Sequence, residues 1–127
     1  MTLKMYEITE LPSFFEKVKS QKLPFKTSYK LALFAQEIEK HTAFYQEQFR
    51  ELLFTYGKKD EDGNLVPTAD GQGIVLIEET MEEAQTKLVE LRELDVELPD
   101  IKFSVEEFEK MELTPTELIV FMPFIEG

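Results

Sequence analysis

The spacing of apolar residues predicts two amphipathic helices joined by a short connection. Within each set the residues recur at alternating steps of three and four, a period that gathers them on one face of an α-helix. The first stripe consists of Leu31, Phe34, Ile38, His41, Tyr45, Gln48 and Leu52. The second consists of Ile77, Met81, Ala84, Leu88 and Leu91. Because the connection is short, the pattern favours an antiparallel helical hairpin.

Capping residues give the bounds of the first helix of this hairpin. Thr27 or Ser28 is a suitable N-cap, and the helix is expected to run to about Tyr56, where Gly57 favours termination. Further apolar residues beside the main stripe are Leu33, Phe44, Phe49 and Leu53. A stripe this wide predicts contact with more than one neighbour. One neighbour is the second helix, and the other is either a short N-terminal helix or a second copy of the protein.

Shorter elements are predicted around the hairpin. An amphipathic helix is expected over about residues 10–20, and the second helix of the hairpin over about 78–94. Turn residues flanked by short apolar pieces predict a small β-hairpin or ordered loop between the helices. Capping boxes that begin at Ser104 and Thr114 predict two short C-terminal helices.

These elements predict a single domain, 1–127, that is mainly α-helical. It comprises an N-terminal arm and helix (1–27), a long antiparallel helical hairpin (28–94) with a small β-hairpin or loop insert (58–77), and an acidic and apolar C-terminal segment (95–127).

Charge is distributed unevenly along the chain, whose net charge is −12. Residues 1–59 carry ten Lys and Arg against seven Asp and Glu, whereas residues 60–127 carry four against nineteen. An acidic half repels nucleic-acid phosphates, so direct nucleic-acid binding is not expected there. It serves either solubility or attraction of a basic partner. The acidic face of the second helix is predicted to comprise Glu78, Glu79, Glu82, Glu83, Glu90 and Glu93.

Candidate chemistry in the sequence is sparse. The chain has no Cys and one His, which disfavours thiolate and transition-metal sites. Asp60, Asp62 and Asn64 lack the glycine and glutamate spacing of a calcium loop. His41 lies on the helical stripe with Glu37 one turn before it, an arrangement typical of an interface histidine. We therefore predict no catalytic residue, cofactor or metal.

Three stretches resemble a family of small bacteriophage proteins known only as a domain of unknown function. They are residues 21–32, residues 56–64 and the ending from Ile101 to Ile125. The shared features are caps, a turn and an apolar tail. The resemblance implies a phage origin, and it implies no catalytic residue.

Two functional hypotheses follow. The first is a non-enzymatic phage structural or assembly protein that acts through protein contacts, either with itself or with another phage or host protein. Its predicted partner-binding residues are Phe44, Phe49, Leu53, Phe121 and Phe124. The second is an acidic inhibitor or nucleic-acid mimic that binds a host defence or nucleic-acid-processing protein. No signal peptide or membrane span is predicted, so the expected location is the cytoplasm of the infected bacterial host, with incorporation into the virion left open.

Overall fold

The computed structural model describes residues 1–126 and is mainly helical, as predicted. Its longest helix has 32 residues, equivalent to about 48 Å at 1.5 Å per residue. The elements in chain order are β1 (Thr2–Lys4), α1 (Met5–Ile8), α2 (Leu11–Val18), α3 (Phe25–Tyr56), α4 (Met81–Arg92), β2 (Asp95–Glu97), α5 (Val105–Glu109) and α6 (Pro115–Phe121). Single 3₁₀ turns, Glu78–Thr80 and Met122–Phe124, precede α4 and follow α6.

The start of α3 differs from the prediction. The helix begins at Phe25, two residues before the predicted cap at Thr27 or Ser28. Pro24 already accepts the first helical hydrogen bond, because the Ser28 amide donates to its carbonyl over 3.0 Å. The Thr27 hydroxyl instead donates to a carboxylate on α5.

The N-terminal elements are shorter than predicted. The expected helix over 10–20 is α2, and the preceding arm forms β1 and α1. β1 pairs antiparallel with β2, with Leu3 opposite Val96.

The helix expected over 78–94 opens with a 3₁₀ turn and becomes α-helical at Met81. The capping boxes at Ser104 and Thr114 are present as predicted, and each closes the first turn of a short helix.

Residue contacts divide the chain into two compact units. The first unit contains residues 1–42 and 95–126, and the second contains residues 43–94. This division differs from the predicted partition, which placed all of 28–94 in one hairpin. The first part of α3 thus belongs to the first unit and its last part to the second.

The core of the first unit is built around phenylalanine rings. Seven of them contact one another: Phe14, Phe15, Phe34, Phe103, Phe108, Phe121 and Phe124. Phe121 stacks on Phe14 with ring centroids 3.6 Å apart. The backbone from Phe124 to Glu126 is fixed beside this cluster, because the Phe103 amide donates to the Phe124 carbonyl and the Glu126 amide to the Phe103 carbonyl, each over 2.8 Å. Phe121 and Phe124 of the apolar tail are therefore buried within their own unit, whereas Leu118, Ile119 and Met122 stay exposed.

The second unit contains the antiparallel packing of α3 against α4. The Tyr56 hydroxyl, at the end of α3, donates to Glu83 near the start of α4 over 3.1 Å. Phe44, earlier on α3, lines a groove together with Leu94, just after α4. The two helices therefore run in opposite directions, as the apolar stripes predict.

The insert between these helices is an ordered loop with isolated β-bridges. Three of its segments are joined by a ring of backbone hydrogen bonds. The Lys58 amide donates to the Val75 carbonyl over 2.7 Å, Val75 to Val66 over 2.8 Å, and Val66 to Lys58 over 2.9 Å. Buried Gly57 leads from α3 into this ring.

We expect Gly57→Ala to destabilise the second unit. A Cβ at this position would lie 2.3 Å from the Leu53 carbonyl oxygen and 2.6 Å from Leu65 Cδ2, so the backbone must shift. The expected loss is about 2 kcal/mol, typical of overpacking. Hydrogen exchange at the Val66 and Val75 amides should accelerate accordingly.

Gly73→Ala is the matched control for this substitution. Its Cβ would meet the Thr68 side chain at 3.7 Å, an ordinary contact. Equal exchange rates in the two variants would contradict the role assigned to Gly57.

Candidate interaction surfaces

One side of α3 in the first unit is apolar and exposed. Thr27, Leu31, Phe34 and Ile38 are buried and define the inner face of this part of the helix. On the opposite side, at steps of four residues, Phe25 is 86% exposed, Tyr29 58% and Leu33 41%. A regular row of large apolar side chains on the solvent face is unusual, because isolated exposed residues are the norm.

Two of these side chains form a flat aromatic surface. The rings of Phe25 and Tyr29 stack with an interplanar angle of 13° and centroids 6.4 Å apart. Lys22 and Lys26, both exposed, lie on either side of Phe25 in the sequence. We call Lys22, Phe25, Lys26, Tyr29 and Leu33 the α3 outer patch.

A third lysine of this region, Lys30, is held in the structural framework of the first unit. Its ammonium donates to Glu107 over 2.8 Å and to the Lys102 carbonyl over 3.0 Å, and it lies 5.5 Å from the centre of the Phe103 ring. Buried Thr27 donates to the other oxygen of Glu107 over 2.6 Å. This network ties α3 to α5.

The network changes the acidity of Glu107. Desolvation raises its pKa, but hydrogen bonds from Lys30, the Ser104 amide and Thr27, together with the Lys30 charge, outweigh desolvation and lower the pKa to about 2. Glu107 is therefore ionised at neutral pH, and it contributes to the stability of the first unit.

Two further N-terminal lysines, Lys17 and Lys19, also have carboxylate partners. Lys17 pairs with Glu117 and Lys19 with Glu16. Hydrogen bonds from Lys17 and from Thr114 lower the pKa of Glu117 to about 2. Within residues 1–126, Lys22 and Lys26 carry no ion pair, so their charges face solvent.

The second unit carries an apolar groove where α3 faces α4. Phe44 is 46% exposed on its rim. The groove has a volume of about 240 Å³ and is lined by Phe44, Gln48, Leu52, Lys87, Glu90, Leu91 and Leu94. Phe49 and Leu53 are half-buried and line a neighbouring cavity of about 140 Å³. Three of the five predicted partner-binding residues are thus at least partly accessible.

The other two predicted partner-binding residues are not accessible. Phe121 and Phe124 are both 0% exposed, because the α6 segment folds into the phenylalanine core of the first unit. Their assignment to a partner surface is wrong. The apolar composition of the tail predicts that it is buried, but it does not indicate which surface covers it or which of its side chains stay exposed.

The predicted acidic face is exposed along its whole length. Glu78, Glu79, Glu82, Glu83, Glu90 and Glu93 are all exposed. Val89 lies on the same side of α4, opposite buried Ala84 and Leu91, and is 58% exposed. Glu82 is seven residues before Val89 and shares its side of α4, as does exposed Arg92 three residues after it, whereas Glu83 and Glu90 lie towards α3.

Glu83 also acts on the neighbouring helix. Desolvation, the hydrogen bond to Glu83 and its negative charge raise the pKa of Tyr56. The tyrosine hydroxyl therefore stays protonated and donates to Glu83 at neutral pH.

The turn residues Asp60, Asp62 and Asn64 stabilise the turn through hydrogen bonds to its backbone amides. Asp60 Oδ1 accepts hydrogen bonds from the amides of Asp62 and Asn64 over 2.9 and 3.0 Å, and Gly63 has a φ of 82°, in the left-handed region.

His41 is half-buried on α3. Within residues 1–126, no three His, Cys, Asp or Glu side chains are grouped so that they could hold a metal ion.

Sequence reasoning missed the α3 outer patch. The signal is present, since Phe25, Tyr29 and Leu33 recur every four residues. This spacing alone does not predict an exposed row, because the dominant stripe through Leu31 and Phe34 defines the core, and a second row on the same helix is apparent only once the inner face is known.

The part of the chain that the structure describes has no helix with the length and apolarity needed to span a bilayer. No protein-family model, curated protein or solved structure matches this chain.

Proposed function

We propose that this chain is a non-enzymatic bacteriophage structural or assembly protein that acts through protein–protein contacts. The observation that carries the proposal is the α3 outer patch. It places two stacked aromatic rings and a leucine on the solvent side of a helix whose other side is anchored in a packed core. Large exposed apolar surfaces are typical of contact sites.

Two further features support this proposal. The groove of the second unit adds a partly exposed phenylalanine on another helix face. The resemblance of three stretches of the sequence to small phage proteins supports a phage origin. On this proposal the protein acts in the cytoplasm of the infected host and is built into the particle or its precursors.

Mass spectrometry of purified virions and of assembly intermediates tests this function. We expect the chain in one or both, at a copy number that is fixed relative to the major structural proteins. Its absence from both preparations, with the protein abundant in the infected-cell lysate, would overturn the proposal.

A second function is favoured by the exposed glutamates of α4 and is proposed as the alternative. An acidic inhibitor would present these carboxylates to the basic groove of a host nucleic-acid-binding protein, and its binding would weaken with salt. A pull-down from host lysate at low salt tests it. Recovery of no basic nucleic-acid-binding protein, or equal recovery by Glu82→Lys/Glu90→Lys, would count against it.

A further inference from the structure

We propose that the α3 outer patch of one copy binds the acidic outer side of α4 of a second copy. The inference rests on the proposed function and names its partner as the same chain. The contact joins Lys22, Phe25, Lys26 and Tyr29 of one molecule to Glu82, Val89 and Glu90 of another.

The chemistry of the α3 outer patch selects this partner. Its two rings offer a flat apolar area, and exposed Lys22 and Lys26, close to Phe25 in the sequence, add two positive charges that form no ion pair within residues 1–126. A matching surface has an exposed apolar side chain with carboxylates at its rim. An apolar centre with a charged rim is the usual composition of a protein interface.

The outer side of α4 has this composition. Val89 is 58% exposed. Exposed Glu82 shares its side of α4, and exposed Glu90 lies at the edge of that side, where it also lines the groove facing α3. The opposite side of α4 is packed through Ala84 and Leu91, so Val89 and Glu82 face away from that packing. The positive and negative surfaces are complementary, and such complementarity fixes partner choice and register.

The two surfaces are different, so the contact is heterologous. Each molecule carries one copy of each surface and can bind two others, one through α3 and one through α4. Repetition of a heterologous contact gives a closed ring or an open chain. Either outcome suits a protein that works as repeated copies.

A charge-reversal series tests the contact in the full-length protein. Lys22→Glu/Lys26→Glu gives the two contacting positions of the α3 outer patch the same charge as Glu82 and Glu90, and Glu82→Lys/Glu90→Lys gives the two contacting positions of α4 the same charge as Lys22 and Lys26. The variant with all four substitutions restores opposite charges and keeps the net charge of −12. All four side chains are exposed, so the fold should persist, which circular dichroism checks.

Light scattering over a concentration series at about 0.15 M salt, where exposed charges interact within about 8 Å, provides the measurement. We expect reversible association of the unaltered protein. Each double variant should weaken the association roughly tenfold or more, from the loss of exposed ion pairs and the gain of like-charge repulsion. The fourfold variant should recover it. Lys87→Glu/Lys110→Glu changes the net charge as Lys22→Glu/Lys26→Glu does but lies outside both surfaces, and it should associate normally.

Several results would overturn the proposal. One is a monomer at every concentration, including a monomer that binds single-stranded nucleic acid through Lys22 and Lys26. Others are association that the double variants do not change beyond the control, and failure of the fourfold variant to recover it. A monomeric protein that is nevertheless found in particles would overturn this inference and leave the proposed function standing. Self-association of a protein that is absent from particles and intermediates would support this inference and overturn the proposed function.

Discussion

Phe121→Ala is expected to lower the free energy of unfolding of the first unit by about 3–5 kcal/mol, the range for removing a buried phenylalanine. Phe121 is 0% exposed and lies at the centre of the aromatic cluster. Its ring contacts six others: Phe14, Phe15, Phe34, Phe103, Phe108 and Phe124. These rings come from α2, α3, α5, α6 and the segments beside them, so a cavity here weakens several packing contacts at once.

Urea denaturation followed by circular dichroism measures this loss. Ile119→Ala is the matched control, because Ile119 lies on the same short helix but is 66% exposed. We expect the control to change stability by about 0.5 kcal/mol or less, as surface substitutions do. Similar losses for the two variants would mean that α6 does not dock in this core.

The same cluster shows what hydrophobic periodicity can and cannot predict. The stripe through Leu31, Phe34 and Ile38 is buried as predicted, because a helical period identifies which face is covered. It does not identify the covering element. Phe121 covers Phe34 from 87 positions further along the chain, and no local pattern in either segment indicates that pairing.

Local chemistry predicted some boundaries better than others. Ser104 and Thr114 are capping boxes in sequence and in structure, because both partners of a capping box lie within four residues. Thr27 is an N-cap candidate by residue type alone, with Lys30 and no Glu or Gln three residues later, and it forms its hydrogen bond with Glu107, eighty residues away. The Thr27 hydroxyl therefore bonds a residue that is distant in the sequence and does not cap its own helix.

The two candidate surfaces also differ in how far the sequence predicts them. The acidic side of α4 could be predicted, since charged residues opposite an apolar stripe stay in water. The α3 outer patch could not, because its meaning depends on where the other lysines go. Lys17, Lys19 and Lys30 find carboxylates, and only then do Lys22 and Lys26 stand out as free charges.

Glu107→Gln is expected to destabilise the first unit by about 3 kcal/mol at neutral pH. Glutamine keeps the shape of the side chain but removes the charge that Lys30 faces at 2.8 Å and one strong acceptor of the Thr27 hydroxyl. The magnitude follows from the pKa of Glu107, which the fold lowers from 4.5 to about 2, at about 1.4 kcal/mol per pKa unit. The side chain is only 16% exposed, so solvent screening is limited.

The stabilisation by Glu107 is expected to decrease as the pH falls. Because the folded-state pKa of Glu107 lies below its ordinary value, the folded protein binds fewer protons than the unfolded chain. The stabilisation is fully present above about pH 4.5 and disappears as the pH falls towards 2. The difference in unfolding free energy between the unaltered protein and Glu107→Gln should therefore shrink towards zero over that interval. Glu117 titrates in the same range in both proteins, and it leaves the difference unchanged.

Urea unfolding at a series of pH values between 7 and 2 measures this difference, and Glu106→Gln is its control. Glu106 is the exposed neighbour of Glu107 in the same first turn of α5. Its substitution removes an equal charge without touching Lys30 or Thr27, and we expect a nearly constant small effect at every pH. A Glu107→Gln deficit that persisted undiminished at pH 2 would mean that packing, and not the ionised carboxylate, connects α5 to α3.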